Sequence, residues 1–343
     1  MKLPRAWLNV ASVLAVIVGL SWIVVKNAPG DARLQLENVS YDPTRELYET
    51  LNPLFVAEYE KNTERHLTIV QSHGGSSRQA RKVISGEQPA DVVTLGLFTD
   101  VDSLRRRGLI APDWSSRLPN HSLPYTSTIV FVVRAGNPRG IKDWPDLLAS
   151  GLEVVTPDPR TSGNGKLAAL AAWAAFITRG GAEADAMTWL RSLYRHVQVL
   201  DEGARASAIT FATQEIGDVH LTWENEARRE VAESNGRLQT VYPPVSILAE
   251  PYVAWVDSTV DRDGSLPVAK AYLTFLFSDT AQQTMARLGY RPWRIDAANK
   301  AGITFPNITL VPVTAIARDW DDAQEKFFGE GGIIETIMRG REK

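Results

Sequence analysis

The chain has 343 residues and no cysteine. Disulfides, thiolate metal sites, a cysteine nucleophile and the lipid-bearing cysteine of a lipoprotein are thereby excluded. Histidine is scarce, at five. No His-Glu-x-x-His and no His/Asp grouping at ligand spacing occurs, so a metal site is not expected. No Gly-x-Ser-x-Gly elbow occurs either, which leaves a serine hydrolase without its usual nucleophile turn. Repeats and low-complexity runs are absent. Net charge is −3, and residues 1–32 carry Lys2, Arg5 and Lys26 against Asp31, which leaves the remainder at −5. No basic tract offers a phosphodiester backbone a path, so nucleic acid is not an expected partner. Nothing calls for a cofactor. A bound anion would need a local site, not a bulk positive field.

Hydrophobic residues make up 44% and charged residues 22%, as in ordinary globular proteins. The length suits two domains, each with its own core. The N-terminus stands apart. Residues 6–25, "AWLNVASVLAVIVGLSWIVV", carry no charge and are flanked by Lys2, Arg5 and Lys26. Such a segment reads as an export signal, with Gly30 and Ala32 as the small cleavage pair. Its length also admits an uncleaved membrane anchor. Both readings put the body, from residue 33 onward, outside the cytoplasm.

The body alternates short apolar strands with amphipathic helices. "LQLENVS", "LTIVQS" and "ADVVTLG" read as strands, and "PTRELYETLNPLFVAEYEK" and "SRQARKVISG" as helices. That alternation predicts an α/β protein with largely parallel sheets. After "YTSTIVFVVRAGNP" a second α/β series begins. We therefore expect two lobes, one of residues 33–120 and 250–335 and the other of residues 121–249.

Five strand-to-helix turns share one design. Asp42-Pro43 suits an N-cap followed by proline. Gly74-Gly75-Ser76, Ser162-Gly163-Asn164-Gly165, Gly203-Ala204 and Trp223 each precede an expected helix. Such turns expose unpartnered N–H groups at the positive end of a helix dipole. In an open α/β sheet they lie at the carboxyl ends of strands, where ligands bind. Singly, each turn is an ordinary cap. Two facing lobes could aim several of them at one small anion. "SHGGSS" alone would also fit an esterase oxyanion loop. "GNGKLA" hints weakly at a dinucleotide turn, and it lacks the Ser or Thr that a phosphate-binding P-loop carries after its lysine.

The segments "NVSYDPTRELY", "QSHGGSSRQA", "LPYTSTIVFVVRAGNP", "TPDPRTSG", "LDEGARAS", "GDVHLTWENEA" and "SILAEPYV" resemble, in order, those of periplasmic sulfate-binding proteins. The resemblance spans about residues 35–330. It implies a two-lobed periplasmic binding protein of type II that is not an enzyme. The implied ligand is sulfate or thiosulfate, and the implied partners are the membrane permease subunits of an ABC importer, served by a monomer. It also implies a site without a contacting cation. Its donors would be the amide of Asp42, the hydroxyls of Ser76 and Ser162, the amides of Gly163, Asn164 and Ala204, and the indole of Trp223. Arg45, Arg78, Lys166 and Arg205 lie near these loops and are expected to turn aside, toward carboxylates such as Asp42, Asp201 or Glu224. Four positions depart from the family pattern, which reads Gly-Gly-Ala-Arg where this chain has Gly163-Asn164-Gly165-Lys166 and often has glycine at Ser77. Molybdate, another unprotonated tetrahedral anion, is the nearest alternative ligand. An exported hydrolase is a more distant one.

Overall fold

The computed structural model describes residues 34–340. The export segment expected in residues 1–32 lies outside the described residues. Among the described residues no helix is long and apolar enough to cross a membrane.

The chain opens with β1 (Leu34–Tyr41), which turns through Asp42–Thr44 into α1 (Arg45–Thr63). There follow β2 (Leu67–Gly74), α2 (Ser76–Ser85), β3 (Val92–Leu95) and α3 (Phe98–Arg106). β1 lies between β2 and β3 and is parallel to both. All four residues of β3 are buried, as expected for a parallel strand covered on both faces.

The chain then leaves this sheet. β4 (Tyr125–Thr126) leads through Ser127 into β5 (Ile129–Arg134). The second series comprises β6 (Val154–Val155), α4 (Gly163–Ile177), α5 (Glu183–Arg195), β7 (Val197–Val199) and α6 (Ala204–Ala208). It closes with β8 (Val219–Trp223), α7 (Glu224–Glu233) and β9 (Leu238–Val241). The second sheet has the order β7-β6-β8-β5-β9. After β10 (Val245–Ile247) the chain returns. β11 (Tyr252–Trp255) pairs antiparallel with β3 and completes the first sheet, in the order β11-β3-β1-β2. The outward and return passages touch at Ser127 and Ala249, whose backbones exchange two hydrogen bonds of 2.9 Å. The protein is thus α/β and two-lobed.

α8 (Leu266–Phe275) and α9 (Asp279–Arg287) bury Val268, Tyr272, Leu273 and Met285 in the first lobe's core. The C-terminal segment behaves differently. It was grouped with the first lobe through residue 335. Val311, Val313, Trp320, Phe327, Ile334 and Ile337 instead join the core of the second, and β13 (Thr309–Val311), which follows the short β12 (Arg291–Pro292), pairs with β10. The cause lies in α4. Its "LAALAAWAAF" run is apolar all round, every residue from 163 to 175 is buried, and a helix of that kind must be covered on its outer side too. The C-terminal segment supplies that cover, with Phe327 edge-on to Trp173 at a centroid separation of 5.1 Å.

Candidate functional site

Six turns meet where the lobes face one another. A Cβ at Gly75 would lie 2.7 Å from the carbonyl oxygen of Thr161 and 3.2 Å from that of Glu202. Only glycine lets the first lobe's loop approach the two facing loops so closely. Gly203 has the same role, since a Cβ there would lie 2.4 Å from an Asp42 carboxylate oxygen. A Cβ at Gly163 would sit 3.3 Å from that of Ser76, and one at Gly96 would touch both Tyr41 and Trp223. Tyr41 and Trp223 are themselves 5.3 Å apart between ring centroids. Asp42, Ser76, Ser162, Gly163, Asn164, Ala204 and Trp223 are therefore brought together, and all are buried.

Their local settings differ. Asp42 is the first residue of its turn, with Tyr41 at the cap position, one place on from the expected N-cap. Ser76 likewise opens α2, with Gly75 before it. Gly163 and Asn164 open α4, so their amides have no acceptor within the helix. Ser162 caps α4, and its oxygen accepts from the Gly165 amide at 3.4 Å, which leaves its own proton to donate. Ala204 opens α6. Trp223 ends β8 and precedes α7. Its indole N–H is fully buried and has no acceptor among the described residues. A buried, unpaired donor costs roughly 1–3 kcal/mol, so it is the sort of feature that persists for a ligand.

Ser76 differs from the expectation in one respect. Its hydroxyl donates to Asp100 at 2.5 Å and accepts from the Gly96 amide at 3.0 Å. Ser77 donates to the other Asp100 oxygen at 2.8 Å. An anion would have to compete with Asp100 for the Ser76 proton. Asp100 was not singled out in the sequence, where "TDVDSL" reads only as a helix start.

The cations do turn aside, though mostly to other carboxylates than those named. Arg45 pairs with Asp42 at 3.0 Å. Arg78 pairs with Glu202 and Arg205 with Glu46, each joining the two lobes. Glu224 is taken by Arg291, at 2.6 and 3.2 Å. Asp201 accepts instead from the Thr210 hydroxyl. Lys166 reaches no carboxylate and donates to Gln324 at 3.0 Å. His73, in the glycine loop, is kept neutral. Burial first, then repulsion by Arg45, pushes its pKa down to about 4.

A further network was missed. Ser207 on α6, His220 on β8 and Glu230 on α7 form a buried chain, Ser207 Oγ to His220 Nε2 at 2.9 Å and His220 Nδ1 to Glu230 at 3.0 Å. With neutral His220 its Nδ1–H donates to Glu230, its Nε2 accepts from Ser207, and each ring nitrogen has its partner. The chain resembles a hydrolytic triad but Ser207 and His220 are wholly buried. It ties together the elements that carry Ala204 and Trp223. The available signal was a lone histidine inside a short, largely apolar strand, "VHLTW", where a buried imidazole must find partners.

Comparison with known proteins decides the family. The family described as bacterial extracellular solute-binding protein matches residues 44–291. The sulfate-binding protein of Escherichia coli (strain K12) is 44% identical over 94% of this chain and 98% of its own. The chain belongs to the sulfate-binding protein family. A thiosulfate-binding protein of Pseudomonas aeruginosa is also 44% identical, over 88% of this chain and 91% of its own. Among solved structures, the sulfate-binding protein SubI from Mycobacterium tuberculosis H37Rv superposes with a TM-score of 0.79 at 29% identity, over 86% of this chain and all of that one. A periplasmic thiamin binding protein at 17% identity and a TM-score of 0.67 shares the fold. These relatives are solute-binding proteins, not enzymes.

Two of the departures from the family pattern have structural answers. Asn164 does not intrude on the site, because its side chain turns away and donates to the Leu221 carbonyl at 3.0 Å. It thereby fastens the start of α4 to β8. Lys166 lies behind the site against Gln324 and the Phe328 ring, 5.1 Å from the ring centroid.

Proposed function

We propose that this protein binds sulfate between its lobes, outside the cytoplasm, and as a monomer delivers it to the membrane permease subunits of an ABC importer. The observation that carries this reading is the Trp223 indole N–H, buried at the meeting point of the turns with no acceptor among the described residues. Tryptophan can only donate, so the complement is an acceptor-only ligand. The amides of Asp42, Gly163, Asn164 and Ala204 and the hydroxyl of Ser162 are donors of the same kind. The Ser76 hydroxyl joins them by exchanging Asp100 for the anion.

Specificity follows from protons. Phosphate at neutral pH keeps a proton and needs an acceptor for it. Four of the proposed contacts are amides and one is an indole, and these can only donate. Protonated phosphate would therefore set an O–H against donors, a repulsive and unsatisfied contact. Sulfate has no such proton. Thiosulfate also has none, and the Pseudomonas aeruginosa relative supports it as the second ligand.

A melting screen with sulfate, thiosulfate, molybdate, phosphate and citrate tests the reading. Ligand at one hundred times its dissociation constant should stabilise the fold by about 2.7 kcal/mol. Sulfate and thiosulfate are expected to raise the midpoint and phosphate to leave it unmoved. No shift with any tetrahedral anion would sink the proposal.

A further inference from the structure

One helical turn beyond the site, α2 and α3 of the first lobe face Lys166 and Gln324 of the second across a cavity of about 400 Å³. Arg81 and Arg107 line it and are exposed. Among the described residues neither side chain has a hydrogen bond or ion pair. Arg106, on the same wall, is already committed to Asp102 and Asp321. Lys166 is 7% exposed and has only the neutral Gln324 and a ring for company. The one carboxylate lining this space, Asp100, is hydrogen-bonded by the neutral Ser76 and Ser77 and keeps its single charge against Arg81, Arg107 and Lys166. Burial lowers the pKa of Lys166, with Arg81 acting as a nearby like charge and Asp100 opposing. In a chain of net charge −3, this pocket gathers Arg81, Arg107 and the buried Lys166 against one carboxylate.

We infer that this cavity is a second, weaker anion site, one that a small tetrahedral oxyanion fills by bridging Arg81 and Arg107 of the first lobe to Lys166 of the second. Because its walls come from both lobes, the site is complete only when they are closed. Occupancy is therefore ordered: the central site fills first, and the second anion then holds the closed form. The site is indifferent to the anion's proton count, unlike the central site, because Arg81 and Arg107 are exposed and an O–H can turn toward solvent. The inference rests on the sulfate reading in taking that anion as the probe.

Equilibrium dialysis of the protein against labelled sulfate, with chloride holding ionic strength constant, reads the stoichiometry. One sulfate per chain is expected at low concentration, and a second in a weak phase, on the order of millimolar. Arg81→Ala and Lys166→Met should each weaken the second phase roughly tenfold or more, as loss of a charge-assisted contact does, with the tight phase moved by less than about threefold. Unlabelled phosphate should displace only the weak phase. A single sulfate per chain at all concentrations, or a weak phase that survives in both variants, overturns the inference. A missing tight phase would instead sink the proposed function, so the two failures are distinct.

Discussion

Along α4, Gly163 and Asn164 turn backbone amides toward the meeting point of the loops, and one turn later Lys166 turns an ammonium toward the basic cavity. Two regions so close are made of opposite materials. The central site is buried, its proposed donors are neutral, and the nearby Arg45, Arg78 and Arg205 are paired with Asp42, Glu202 and Glu46. The outer cavity is lined by charged side chains, two of them exposed. Amides held by a helix need no reorganisation when an anion arrives, whereas a long cation gives up rotamer freedom. An ionised side chain would also attract any anion, protonated or not, while fixed N–H groups reject the protonated ones. On the proposed reading, tight and selective binding would follow from oriented dipoles, and weak, permissive binding from cations.

The largest expected effect comes from closing distance. Gly75→Val would drive a side chain into the Thr161 and Glu202 carbonyls. Backbone cannot yield as a flexible side chain does, so the closed form should lose about 3 kcal/mol or more. Calorimetric affinity for sulfate should fall more than a hundredfold. Affinity within threefold of the parent would mean that binding does not need the lobes to meet here.

Neutrality at the site gives the next effect. His73 is pushed from 6.5 down to about 4 on folding. Its stabilising contribution is therefore complete above about 6.5 and is lost as pH falls through about 4. The full swing is at most about 3 kcal/mol. His73→Gln should flatten the decline in denaturant-derived stability across that window. Between pH 8 and 6.5 sulfate affinity should not vary, as no cation is gained at the site. An affinity that climbs steeply as pH falls from 8 would show that a titrating cation takes part, and would erase the contrast between the regions.

Removing one neutral donor should cost less than blocking closure. Trp223→Phe keeps the ring packed on Tyr41 and deletes the indole N–H. The loss expected is about 2 kcal/mol, within the range of hydrogen bonds to charged groups, and is read as a faster dissociation rate in stopped flow. His220→Gln keeps a donor and an acceptor but shortens the link between α6, β8 and α7. It should produce a smaller loss of affinity, and Trp223→Phe in that background should then cost less than in the parent.

These residues were unequally visible in the sequence. The turns were legible because glycine, serine and proline at strand ends carry local meaning, and because whole segments resemble a family. Asp42 and Ser76 fell within one residue of their expected helix starts. What could not be read was pairing across space. Asp100 serves Ser76 and Ser77 from a different helix, 23 and 24 residues away in sequence. Glu224 meets Arg291 across 67 residues. The C-terminal segment was placed by chain order, although the all-round apolar α4 was the clue that something must cover it. Local chemistry fixed the donors, and tertiary packing chose their partners.

The smallest expected effect is the sharpest test of the comparison. Lys166 lies only two residues beyond the central donor Asn164, yet its ammonium faces Gln324 and the outer cavity. Lys166→Met fills similar volume and removes a buried charge that has no carboxylate partner. Central-site affinity should change by about 1 kcal/mol or less, as for a peripheral charge. The fold should not lose stability, since an unneutralised buried ammonium is costly. A pH scan separates these statements. Burial lowers the Lys166 pKa from 10.5 on folding, so the parent protein should gain stability as pH rises toward 10.5, when the proton is shed more readily by the folded state. The methionine variant should lack that gain. If tight sulfate binding instead falls further in Lys166→Met than in Trp223→Phe, the ammonium belongs to the central site and the division between fixed dipoles and mobile cations fails.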